Sequence, residues 1–149
     1  MDQVNGKALI QKAAKAGSDC AAGKCYQEGW GVKPDTKLAI EYYHKSAGSG
    51  SSHGMCRLGK CFQNGYGVTK DHSTAVEIFR RAARRGNSNA IYNLGICYDE
   101  GYSVEKSTKI ALSLYHEAAI RGNSHAETNL GFAYMHGNNQ FLNHIMQRG

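Results

Sequence analysis

Proline is nearly missing from this chain: Pro34 is the single one in 149 residues, which include 18 glycines. Proline breaks helix interiors and glycine ends helices, so this imbalance predicts many helices that stop often and rarely kink. Long apolar runs are missing too. No stretch approaches the roughly 20 residues that a membrane span needs. The opening MDQVNGKALIQKAAKAG lacks the apolar centre of a secretory signal. With Met1 as the start, a cytoplasmic location is expected, and the five cysteines are expected as reduced thiols. Apolar content of 41% against 20% charged residues excludes a disordered chain. The net charge of +6 favours acidic partners and equally serves solubility.

What the chain has instead is a period. Gly23, Gly59, Gly95 and Gly131 stand in AGKCY, LGKCF, LGICY and LGFAY, each 36 residues after the last. Tyr26, Phe62, Tyr98 and Tyr134 follow in step, as do Gly29, Gly65, Gly101 and Gly137. A second set repeats three times: Ala39, Ala75 and Ala111; Tyr43, Phe79 and Tyr115; Ala47, Ala83 and Ala119; Gly50, Gly86 and Gly122. A strict period of this size marks a repeat solenoid and outranks local motif matches.

Each unit reads as two helices. Ala90, Leu94, Cys97, Tyr98 and Gly101 fall at i, i+4, i+7, i+8 and i+11, one helix face ending on a glycine. Ser107, Asp71 and Asp35 are N-caps of the second helix, and Ala111, Leu114, Tyr115, Ala118 and Ala119 form its buried stripe. A mid-helix glycine costs about 1 kcal/mol against alanine. Its recurrence predicts a close helix approach at Gly95, with the small Ala111 and Ala118 opposite. The glycine-rich LGKCFQNGYGVTKD is therefore half a helix and its stop. A phosphate loop would need G-x-x-x-x-G-K-[ST] after a strand, which this stretch does not offer.

These columns, as in GMCRLGKCFQNGYGVTKDHSTA and AIYNLGICYDEGYSVEKSTKIA, resemble the Sel-one-like repeat, a relative of the tetratricopeptide repeat. The resemblance covers about residues 18–137. It implies an all-α, right-handed superhelical solenoid of antiparallel helix pairs that binds other proteins as an adaptor or scaffold and is not an enzyme. One repeat domain, 1–149, is expected: an N-terminal helix over about 1–17, units at 18–53, 54–89 and 90–125, and a partial repeat with a cap at 126–149. The final unit departs from the pattern after Gly137, where Leu142, Ile145 and Met146 are expected to form a short cap. Ser103 replaces the glycine of Gly31 and Gly67, and the link from Ala14 to Gly23 is shorter than its counterparts. The chain also reads as an excerpt of a longer array.

No catalytic set emerges, and no cofactor is called for. SVEK at Ser103 to Lys106 matches a Ser-x-x-Lys motif by letters only. His53 and Cys56 share a helix face, but His125 lies two units away, about 20 Å at about 10 Å per helix layer, so no metal site is expected. Cys25, Cys61 and Cys97 fall on the buried stripe as small apolar fillers, whereas Cys20 and Cys56 point to the groove side and should label first. By analogy with tetratricopeptide arrays, the concave groove is lined by Lys24, Gln27 and Glu28; by His53, Cys56, Lys60, Gln63 and Asn64; by Asn89, Tyr92, Ile96, Asp99 and Glu100; and by His125, Thr128, Phe132, Met135 and His136. The column after the repeat glycine runs Lys24, Lys60, Ile96, Phe132, from cationic to apolar. A protein or peptide partner with acidic residues at one end and large apolar residues at the other would fit it. Arg80, Arg81, Arg84 and Arg85 form the alternative surface, a basic face for nucleic acid or another acidic surface. A solvated helix face is the stronger reading there, because no aromatic stacking platform accompanies the arginines.

Overall fold

The computed structural model describes residues 3–15 and 18–136. Among them there are eight helices and no strand: α1 (Gln3–Lys15), α2 (Asp19–Glu28), α3 (Thr36–Gly48), α4 (Ser52–Asn64), α5 (His72–Arg84), α6 (Ser88–Glu100), α7 (Thr108–Ile120) and α8 (Ser124–Met135). The chain divides into two compact units, Met1–Ala82 and Ala83–Gly149. In the first, α1 packs on α2, and α2 on α3 and α4; in the second, α7 packs between α6 and α8. The expected cap residues Leu142, Ile145 and Met146 lie outside the described residues.

Each helix pair is closed by the same local chemistry. The first helices stop at Gly29, Gly65 and Gly101, all left-handed at φ 74°, 69° and 76°. The chain then returns so that the amides of Asp35, Asp71 and Ser107 donate to the carbonyls of Tyr26, Phe62 and Tyr98 at 2.8–2.9 Å. The same three residues cap the second helices, as their spacing predicts: their side chains accept from the amides of Leu38, Thr74 and Ile110. Hydrogen bonds from the Thr74 amide and hydroxyl hold the Asp71 carboxyl below its ordinary pKa. Ser51, Asn87 and Asn123 cap the first helices in the same way. Their signal in the sequence is a polar residue just before a serine, in SS, NS and NS. Ser103 takes φ 59° where Gly31 and Gly67 take 72° and 70°. It is the one non-glycine residue in left-handed backbone among the described residues, and it carries the strain that glycine avoids.

Three of the four repeat glycines, Gly23, Gly59 and Gly95, permit a close approach, foremost to an aromatic ring and, at Gly23 and Gly95, also to the backbone of the facing alanine. A Cβ added to Gly95 would lie 2.7 Å from the Tyr115 ring and 3.4 Å from the Ala111 carbonyl oxygen. Gly23 meets Tyr43 at 2.7 Å and Gly59 meets Phe79 at 2.6 Å. Each ring thus packs against bare helix backbone, fully or nearly fully buried. Around the rings the first unit gathers Ile10, Ala22, Tyr26, Ile40, Leu58 and Cys61, and the second gathers Ile91, Leu112, Ala118, Ala126 and Leu130. Gly6 brings α1 down in its own way: a Cβ there would overlap the Gly31 carbonyl oxygen at 1.7 Å.

The thiols correct the expected pattern in two places. Cys61 and Cys97 are buried as stripe positions should be, and burial pushes the Cys61 thiol up to about 11. Cys25, in the same column, is only half-buried, because it borders an apolar cavity of about 240 Å³ that α1 leaves open beside Leu9, Ile10 and Trp30. Cys56, expected on the accessible groove side, is buried at 6% exposure. An inner helix such as α4, packed on both α2 and α3, has neighbours on more than one flank, so positions beside its stripe lose solvent too. Cys20 is half-buried.

Candidate partner-binding face

Of the residues expected to line a groove, the second unit brings most of its own together. Asn89, Tyr92, Asp99, His125 and Phe132 stand on α6 and α8 over α7. The Asn123 side chain donates to the Asn89 side-chain oxygen at 2.9 Å. The Tyr92 ring lies 5.6 Å from Tyr115 and 5.6 Å from His125, and its hydroxyl takes a long hydrogen bond from Asn129 at 3.5 Å. Asp99 Oδ2 accepts from the Tyr115 hydroxyl at 3.3 Å. Burial, reinforced by the Asp99 carboxylate, raises the Tyr115 pKa far above its ordinary value, so this hydroxyl remains a donor. Ile96 is half-buried and packs on the core of its unit, whereas Phe132 is 64% exposed and Met135 83%. Thr128, Glu100 and His136 are exposed.

A cavity of about 380 Å³ opens here, lined by Asp99, Thr108, Leu112, Tyr115, Asn129, Phe132, Ala133 and His136. The His136 ring stacks on Phe132 at 4.1 Å between centroids, and its Nδ1 lies 3.1 Å from the Phe132 carbonyl oxygen.

The first unit repeats this frame with different groups. The buried Tyr43 hydroxyl donates to the Gln27 side-chain oxygen, the counterpart of the Tyr115–Asp99 contact. The Lys24 ammonium sits 5.3 Å over the Trp30 ring of its own loop. Lys60, His53, Glu28 and Asn64 are exposed, Gln63 is half-buried, and Cys56 is withdrawn as described. Arg57 is close enough to act electrostatically on Tyr43, Cys20 and Cys61, opposing the effect of burial on each. The sequence reading missed Arg57, Asn129 and Trp30, and took Tyr115 only as a residue of the buried stripe. Arg57 and Asn129 hold one column, two residues before the repeat glycine, and the column varies as Ala21, Arg57, Asn93, Asn129. That polar variation is the signal that could have found them.

On the alternative basic surface, Arg80 is paired with Glu77 at 3.1 Å, while Arg81, Arg84 and Arg85 are exposed. Among the described residues no group of three His, Cys, Asp or Glu side chains is placed to hold a metal ion. None of the described helices is long and apolar enough to cross a membrane.

The Sel1 repeat model matches residues 20–51, 52–87, 88–123 and 124–143. The chain belongs to the Sel1 repeat family. A Sel1 repeat protein from Oxalobacter formigenes is similar in structure, with 31% identity and a TM-score of 0.81 over 91% of this chain and 56% of that one. A protective antigen of uropathogenic Escherichia coli with an SLR fold gives 30% identity and a TM-score of 0.79, over 91% of this chain and 30% of that one. Helicobacter pylori cysteine rich protein B, at 23% identity and a TM-score of 0.71 over 87% of this chain and 98% of that one, shares the fold. This chain therefore spans 56% and 30% of the first two proteins' lengths. A comparison with the curated proteins gave no match. The fold class is an all-α solenoid of tetratricopeptide-like repeats, and Sel1 repeats are in general protein–protein interaction modules.

Proposed function

We propose that this Sel1 repeat chain is an adaptor or scaffold module, without catalysis of its own, that holds a protein or peptide partner against the open face of its first helices. One observation carries the reading. On α8 the large apolar side chains of Phe132 and Met135 are exposed beside a polar cluster that Tyr115 and Asn129 hold in place from below. Exposed aromatic anchors beside fixed polar groups are the composition of interface hot spots. A single repeat domain over 1–149 in a cytoplasmic compartment accords with this role. The basic face is the weaker surface, because Glu77 already compensates Arg80.

The test is affinity capture with the wild-type chain, with Ile96→Ala/Phe132→Ala, and with Arg80, Arg81, Arg84 and Arg85 changed to Gln. The proposed function predicts that proteins retained by the wild type are lost from the first variant and kept by the second, with helix content unchanged in both. Retention by the apolar variant and loss from the arginine variant would move the working surface to α5.

A further inference from the structure

We propose that the cavity between α6, α7 and α8 receives an arginine side chain of the bound partner, with the guanidinium on Asp99 and Phe132. This rests on the protein-binding reading and names the chemistry its partner must carry. The chain's net charge is +6, yet no lysine or arginine lines the cavity. Asp99 is the one carboxylate that lines it. The hydrogen bond that it accepts comes from the Tyr115 hydroxyl, a neutral donor that orients the carboxylate without cancelling its charge. A half-buried carboxylate held this way, beside the apolar wall of Leu112, is complementary to a cation on an alkyl stem.

The walls select the guanidinium over an ammonium. Phe132 has one ring face covered by His136 and is still 64% exposed, which leaves the other face for a planar cation to stack on. Asn129 donates its Nδ2 toward the Tyr92 hydroxyl, so the opposite end of that amide, its carbonyl oxygen, is the acceptor left for a second N–H. A forked, planar donor can meet the Asp99 carboxylate and an amide oxygen together while lying on the ring, whereas a lysine ammonium is a point charge with no plane to stack. The first unit offers no such site. Two repeats earlier, Asp99 is replaced by Gln27, Asn129 by Arg57 and Phe132 by Lys60.

The full chain is titrated with N-acetylarginine amide and followed by NMR. Saturable shifts are expected at Asp99, Tyr115 and Asn129. The neutral isostere N-acetylcitrulline amide should bind at least tenfold more weakly, and so should the arginine probe to Asp99→Asn, while Glu105→Gln, which removes a charge from an exposed loop, keeps wild-type binding. Equal binding of arginine and citrulline to the wild type would overturn the proposal, and that comparison does not depend on any variant folding. A random peptide library panned on the wild type separates this inference from the function it rests on. Enriched peptides that carry an arginine and lose binding on Asp99→Asn support it. Enriched peptides that depend on Phe132 yet carry no arginine overturn it and leave the groove reading standing. Selective binding of the arginine probe in the cavity, with no peptide enriched from the library, would uphold the guanidinium site and refute the groove.

Discussion

The two units share a frame and differ in what they show on it. In the first, a buried tyrosine lies on Gly23 and points its hydroxyl at Gln27, with Arg57 and Lys60 on the neighbouring helix. In the second, a buried tyrosine lies on Gly95 and points its hydroxyl at Asp99, with Asn129 and Phe132 in the matching places. The ring-on-glycine contact is the same within 0.1 Å, while the groups above it change from cationic to anionic and aromatic. Packing sets the frame, because a ring on bare backbone leaves no room for variation. Solvent-facing positions carry no such constraint, and recognition is written there.

The largest effects should come from filling that contact. Gly95→Leu or Gly59→Leu should cost well over about 3 kcal/mol, and Gly23→Ala or Gly95→Ala about 1–3 kcal/mol each, because the added carbon meets a ring that cannot retreat. Gly131→Ala breaks the symmetry: no atom among the described residues lies within 4 Å of the added carbon, so the helix should gain about 0.5–1 kcal/mol. Urea unfolding measures all of these. A loss at Gly131 comparable with that at Gly95 would mean that the fourth glycine is covered like the others.

Caps come next. Asn123→Ala should cost about 1–2 kcal/mol and Ser107→Ala about 0.5–1 kcal/mol, since Asn123 is buried and its amide also holds Asn89. Equal losses in thermal melts would contradict that added role. Tyr43→Phe and Tyr115→Phe should each cost only about 0.5–1.5 kcal/mol, because Phe79 already serves the same contact without a hydroxyl. They should part in binding, where Tyr115→Phe alone weakens the arginine probe. Ser103→Gly should stabilise by about 1 kcal/mol by relieving the left-handed serine.

The smallest effects concern thiols in one column. Cys25 should label with iodoacetamide well before Cys61 and Cys97, and Cys56 should be as slow as those two. The fold favours the neutral Cys61 thiol, whose pKa rises from an ordinary 9.0 to about 11. Its contribution to stability is therefore complete below about pH 9 and is lost as pH climbs toward 11. Fast labelling of Cys61 at neutral pH would refute this burial.

The 36-residue period, the helix pairs, the left-handed glycines and the caps at Asp35, Asp71 and Ser107 were legible in the residues, because they arise from backbone geometry within a few positions of chain. Tertiary structure decided what no local spacing contains. It put the ring of Tyr115 on Gly95 beside the Ala111 backbone, since which side chain crosses from one helix to the next depends on how the pair docks. It withdrew Cys56 and half-opened Cys25, since burial is a sum over neighbours on every flank. It also joined Asp99, Tyr115, Asn129 and Phe132 around one cavity, residues spread over three helices whose side chains share an environment only once those helices pack.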